Sequence, residues 1–287
     1  MIDELKHIWE VCFDDSEAYT DLYFSHVYAP ENTLVHTVAG RAVAMLSLLP
    51  ATLVTPAGTR KARYVYAVAT LPAFRGKGFS RQLLAQADAR MRAEGCELAV
   101  VMPASDTLVG FYAQQGFVPA FSRRAVWLPL FPTHTGSTRS FLNGIPLGDT
   151  DDELQMLAAL RERFFTANGG CFVRWDTGIL SYAIRECRLA SGGAFYFPDC
   201  GAGDGYIIVE RRGDTVVVQE MAVAPSLAEH LPAFLQQRYA DSEAIIFHLS
   251  ASSSLWSRRG VIEPTAMCKW FSPPCNLSGG HFGLMGG

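Results

Sequence analysis

Apolar positions in the first part of the chain change period several times, and each change predicts an element. Residues 5–13 and 19–28 space their apolar side chains three and four apart, the period of a helix with one buried face. Residues 32–39 and 41–49 read as two strands joined at Gly40. A β-prone run, Tyr-Val-Tyr-Ala-Val-Ala at 64–69, follows. Phe79, Leu83, Ala87 and Met91, with Leu84 beside them, then return to helical spacing. Gly95 stands where a C-terminal glycine cap belongs, and 97–102 is a short apolar run ending before Pro103, hence a buried strand. Ser105 or Asp106 can cap a short helix to about Gln115, which Gly116 ends.

From about Asp149 the succession recurs in outline. Residues 154–165 and 177–187 have helical patterns, and 194–197, 206–211 and 215–223 read as strands, the last two joined by the tight turn Arg212-Gly213-Asp214. A helix at 227–239 and a strand at 244–249 follow. Met221-Ala222-Val223-Ala224-Pro225 echoes Val68-Ala69-Thr70-Leu71-Pro72, and with the glycines aligned at Gly116 and Gly260, Trp256 takes the position of Tyr112. The pattern predicts a tandem duplication, although α/β sandwiches share such patterns without being duplicates.

The junction of the 64–69 run with the helix at Phe79 carries the chemistry. It reads strand, glycine-rich turn, helix, with Arg75, Lys77 and Arg81 around the turn. Free N–H groups at a helix N-terminus, backed by the helix dipole, form an anion site. Gly76 and Gly78 lack Cβ atoms, so phosphate oxygens can approach the main chain. A Walker loop is absent, and the third glycine of a dinucleotide fingerprint is replaced by Arg81. An ordinary strand-to-helix connection with surface cations would present the same residues. In the second half, Ser226-Leu227-Ala228-Glu229-His230 stands in the corresponding place, with no glycine and an added carboxylate.

Arg75, Gly78 and Ser80 spell Arg-x-x-Gly-x-Ser, which resembles the Gln/Arg-x-x-Gly-x-Gly/Ala loop of the GNAT acetyltransferases, with Ser80 a mild departure. Residues 108–117 resemble the GNAT segment in which a Tyr precedes a Gly-Phe turn by four residues, here Tyr112 before Gly116-Phe117. The resemblance covers about residues 5–130. It implies an α/β (α+β) fold, a mixed, mostly antiparallel sheet flanked by helices, here duplicated. It implies acetyl-CoA as cosubstrate, its pantetheine arm on the main chain of Val68 and Thr70 and its pyrophosphate on Arg75, Gly76, Lys77, Gly78, Phe79, Ser80 and Arg81. A main-chain N–H near Val68 or Ala69 would stabilise the oxyanion, and Tyr112 would protonate the departing thiolate. A tyrosine at a helix–core boundary with no chemical role is the alternative for Tyr112.

The family usually opens with a strand; here that strand is expected to be missing, very short or replaced. Many members carry a general-base Glu on the strand that here holds Tyr64 and Tyr66, which leaves Glu220 or water as alternatives. Two-lobed acetyltransferases of the enhanced-intracellular-survival type are similar at this level, and a counterpart of their third domain is not expected within these 287 residues. The expected organisation is an acetyl-CoA-binding domain over 1–145, a degenerate GNAT-like domain over 146–272 that shapes the acceptor pocket, and a flexible Gly/Pro/Ser-rich tail over 273–287.

Composition narrows the class without changing this picture. The 287 residues can bury one large or two ordinary cores. A net charge of −4, with no basic run, argues against nucleic acid. The most apolar stretch, 42–54, is too short for a bilayer and contains Pro50. Seven scattered cysteines without Cys-x-x-Cys pairs read as reduced thiols in a cytoplasmic protein, and the histidine spacing implies no metal. The expectation is an acetyl-CoA-dependent N-acetyltransferase acting on a primary amine of a small molecule or peptide. The alternative is a silent acyl-CoA-binding or interaction module; acetyl versus longer acyl donors stays open.

Overall fold

The computed structural model describes residues 1–130, 142–198, 203–277 and 279–284. In chain order the elements are α1 (Ile2–Phe13), α2 (Glu17–His26), β1 (Thr33–Val38), β2 (Arg41–Thr55), β3 (Gly58–Thr70), α3 (Phe79–Ala93), β4 (Leu98–Val101), α4 (Asp106–Ala113) and β5 (Val118–Pro129). Then come β6 (Ile145–Leu147), α5 (Asp151–Ala167), β7 (Phe172–Arg174), α6 (Thr177–Leu189), β8 (Gly193–Phe197), β9 (Gly205–Arg212) and β10 (Thr215–Ala222). The last are α7 (Pro225–Ala228), α8 (Leu231–Arg238), β11 (Ala244–Ser250) and β12 (Val261–Trp270). Contacts divide the chain into two compact lobes. The first holds Met1–Phe121, Val173–Gly178 and Thr265–Ser278; the second holds Ser122–Phe172, Ile179–Pro264 and Gly279–Gly287.

In the first lobe β1, β2 and β3 form an antiparallel meander, β3 pairs β4 in parallel, and the far end of β12 pairs β4 antiparallel. The second lobe repeats the plan. Strands β6, β8, β9 and β10 are antiparallel, β10 pairs β11 in parallel, and β5 pairs β11 antiparallel. Each half of the chain therefore gives its last strand to the lobe built by the other half. A linear division at 145/146 does not describe this arrangement. A fragment ending at Thr150 lacks β12, so the Leu98–Val101 edge opens and Met267 leaves a core that includes Val65, Leu83 and Tyr112. Such a fragment is expected to aggregate and to lose the cooperative melt of the full chain, which circular dichroism and size-exclusion chromatography check.

Several boundaries differ from the sequence reading. Strand β2 runs through Pro50, which lies beyond the stretch that β1 pairs, so no β1 hydrogen bond is lost there. The helix expected over 227–239 is two helices, because Pro232 is accommodated only in a first turn and a new helix starts at Leu231. Trp256 does not sit on a counterpart of α4. The guanidinium of buried Arg124 donates to the carbonyls of Ser253, Leu255, Trp256 and Arg259 at 2.5–2.9 Å. Residues 253–259 therefore wrap a cation as turns, with Trp256 at φ 46°.

The expected flexible tail is packed. Leu277, His281, Phe282 and Leu284 are buried, and His281 hydrogen-bonds to Glu220 in the second lobe. Ser278 and residues 285–287 of that stretch, like Cys200, lie outside the described residues.

Candidate functional site

Strand β3 carries a bulge at the point where it approaches α3. Its register against β2 shifts between Met45↔Ala69 and Ser47↔Tyr66, and Ala67 adopts φ 51° there. On its other side β3 pairs β4 only over Ala62–Val65, although β3 continues to Thr70. Beyond Val65, no strand pairs that edge over Ala67–Thr70 among the described residues. Peptide-like groups of a ligand can hydrogen-bond to such an edge.

Thr70 leads through a short turn to Arg75, Gly76, Lys77 and Gly78, and α3 begins at Phe79. Gly76 has φ 77° and Gly78 has φ 81°, and an added Cβ at either would meet nothing within 4 Å. Glycine is needed here for backbone conformation, and the space above the turn is open. No side chain caps α3, so its first N–H groups project outward. Thr70 Oγ1 and Ser80 Oγ share a hydrogen bond of 2.8 Å, fastening the strand end to the first turn. At the other end, the Arg63–Glu94 ion pair of 2.8 Å ties α3 to β3.

The cations are arranged unequally. Arg75 donates to the Thr70 carbonyl at 3.1 Å, and Lys77 lies 4.8 Å from the Phe74 ring centroid. Arg81 is exposed on the first turn of α3. Phe79 stacks on His36 with centroids 4.1 Å apart.

Tyr112, on α4, is 4 % exposed. It shares one packed cluster with Val65 and Val101, against which Val68 and Phe79 pack. Phe111 and Phe117 meet its ring edge-on, and its hydroxyl makes no hydrogen bond among the described residues. Burial pushes its pKa up to about 12, so the phenol keeps its proton at neutral pH.

Glu220, named as an alternative base, is unsuited to that task. It is fully buried in the second lobe, paired with Arg161 at 3.0 Å. It also accepts from Tyr206 Oη at 2.6 Å and from His281 Nε2 at 2.8 Å. Burial alone would raise its pKa, but Arg161 and the His281 hydrogen bond outweigh it and hold the carboxyl at about 2. Since Glu220 is depressed from 4.5 to about 2, its contribution to stability is complete above about 4.5 and is lost as pH falls towards 2. Arg161→Met should remove about 3–5 kcal/mol at neutral pH, because a buried carboxylate loses its partner. Denaturant melts from neutral to acid pH should show that loss, together with a weaker acid dependence than the parent chain.

Strand pairing and burial thus bring the glycine turn, the open edge of β3 and Tyr112 onto one lobe. Residues 1–120 match the family model for an acetyltransferase (GNAT) domain. Over that span, which is most of the first lobe, the chain is similar to that family. No curated protein matches the chain in sequence. Among solved structures, a GCN5-related N-acetyltransferase from Anabaena variabilis superposes with a TM-score of 0.72 at 16% identity, over 93% of this chain and 69% of that one. Eis1 from Mycobacterium abscessus gives 0.63 at 14% identity, over 93% and 70%. A tandem GNAT protein from the clavulanic acid biosynthesis pathway gives 0.56 at 14% identity, over 96% of each chain. At these identities the likeness is one of fold, and it extends over both lobes.

Among the described residues no group of His, Cys, Asp and Glu could hold a metal ion, and no helix is long and apolar enough to cross a membrane. The sequence reading did not find the bulge at Ala67 or the Thr70–Ser80 bond. The bulge has no sequence signal in an Ala-Val-Ala run. The Ser80 departure from the family's Gly/Ala was a signal for the bond.

Proposed function

We propose that the GNAT lobe transfers an acetyl group from acetyl-CoA directly to a primary amine of a small molecule or peptide. The observation that carries this reading is the uncapped start of α3, entered through two left-handed glycines and lying beside the open edge of β3. The pyrophosphate would rest on the N–H groups from Gly76 to Arg81, with Arg75, Lys77 and Arg81 supplying positive charge. The pantetheine amides would pair with the main chain of Val68 and Thr70.

The neutral amine adds to the thioester carbonyl, a main-chain N–H at Val68 or Ala69 steadies the oxyanion, and the C–S bond breaks as the amide forms. Tyr112 gives its proton to the thiolate, and the proton lost by the attacking nitrogen passes to water, from which the tyrosinate takes one back. Water suits this role better than the salt-bridged Glu220.

Thiol release from acetyl-CoA across a panel of amines tests the proposal, with mass spectrometry of the products. Amine-dependent thiol release with one acetyl group gained per thiol supports it. Tight CoA binding with no amine-dependent release would instead identify a silent acyl-CoA-binding module.

A further inference from the structure

The second lobe has a pocket of its own, of about 700 Å³, within the usual range for a small-molecule site. It opens where β10 and β11 end, lined by residues that follow both strands and by His281 of the packed C-terminal segment. Leu160, Phe164, Phe165 and Leu255 supply its apolar wall.

Its polar groups mostly accept hydrogen bonds. His281 is 6 % exposed and stacks on Phe165 with centroids 4.2 Å apart. Its Nε2 lies 2.8 Å from Glu220, which is ionised and can only accept, so Nε2 carries the proton and a neutral ring offers the Nδ1 lone pair. Nδ1 has no partner among the described residues. Ser250 and Ser252 direct their hydroxyl protons to the Gly279 carbonyl or to each other, at 3.0–3.4 Å. Their lone pairs remain to be used. Half-buried Asp204 adds a carboxylate with no ion-pair partner among the described residues. The cation on the lining, Arg163, is exposed and therefore screened by solvent.

We propose that this pocket is a second ligand site, which takes a small primary amine with an apolar body. The ammonium group would donate to His281 Nδ1 and the serine oxygens, and the body would lie on the phenylalanine wall. The buried Arg161–Glu220 pair would act as a positioning unit, fixing the His281 ring and its tautomer. Replacing a phosphate-binding turn by Pro225-Ser226-Leu227, with no glycine, removes the anion site while leaving the pocket.

The test uses the full chain with ¹⁵N-labelled histidine at about pH 7.5, where an alkylammonium is charged. Phenethylamine is titrated against 3-phenylpropionate, an acid of similar shape. The expected result is a saturable shift of one Nδ1 resonance with the amine and none with the acid. That resonance should be missing in His281→Gln, which keeps a donor for Glu220. Ligand-observed NMR should show affinity about tenfold weaker or worse in His281→Gln and in Ser254→Trp, which fills the exposed rim without touching the ion pair. The His281 signal separates this site from amine binding on the GNAT lobe. The proposal is overturned if the amine causes no saturable His281 shift, if the acid causes it equally, or if neither substitution weakens the event.

Discussion

Gly78→Glu is expected to abolish acetyl-CoA binding in a chain that still folds. A Cβ at Gly78 meets nothing within 4 Å, so the native packing is not disturbed. The backbone cost is that of a left-handed non-glycine residue at φ 81°, about 1–2 kcal/mol, or a few degrees in thermal midpoint. The carboxylate, however, enters the space proposed for the pyrophosphate, above N–H groups it would occupy itself. Calorimetry with CoA should show no saturable heat. Gly58→Glu is the control: it imposes at least as much strain, at φ 123°, but at the opposite end of β3. It should lose at least as much stability and keep CoA binding. Retained affinity in a folded Gly78→Glu chain would remove the assignment of the turn.

Tyr112→Phe is expected to lower kcat by about a hundredfold or less, at the weak end of the ~10²–10⁴ range for general acids, because a thiolate is already a good leaving group. KM for acetyl-CoA should hold, since the proposed proton transfer takes place only as the C–S bond breaks. Stability should hold as well, because this buried hydroxyl gives up no hydrogen bond among the described residues. The pH profile adds a second readout. With the phenol pushed up to about 12 by burial, Tyr112 stays protonated while a typical amine acceptor titrates. The wild-type rate should therefore rise with pH until the amine is neutral, with no descending limb from Tyr112 below about 12. The Phe variant should keep the rising limb at a reduced plateau. An unchanged rate with chemistry limiting would leave Tyr112 as a packing residue.

The residues of the candidate site were largely legible because their signals are local. The positions Phe79, Leu83, Ala87 and Met91 announce α3 by spacing, and Gly78 announces its uncapped start. What escaped depends on partners far away in sequence. Nothing in Val-Ile-Glu-Pro-Thr-Ala-Met-Cys-Lys-Trp says that β12 will pair β4, about 170 residues earlier. Arg124 reads as a surface cation until four carbonyls of a distant loop surround it. The alignment of Trp256 with Tyr112 failed for the same reason, since that cation holds the segment as turns. Pro232 was a local signal that was overlooked.

Periodicity, turn chemistry and glycine placement are short-range properties, and from them alone follow two similar α/β halves, one of them bearing a phosphate-type turn. Which strand completes which sheet is different in kind. An edge of unpaired N–H and C=O groups accepts any extended segment of suitable register, and the choice falls to the burial that the whole chain achieves. The same holds for the C-terminal segment, whose Gly, Pro and Ser content reads as a loose tail. Gly283 has no room for a Cβ, which would collide with the Glu220 carboxylate, and His281 supplies a hydrogen bond to that buried carboxylate. Only the folded second lobe, with Arg161 and Glu220 already buried, makes ordering that segment favourable.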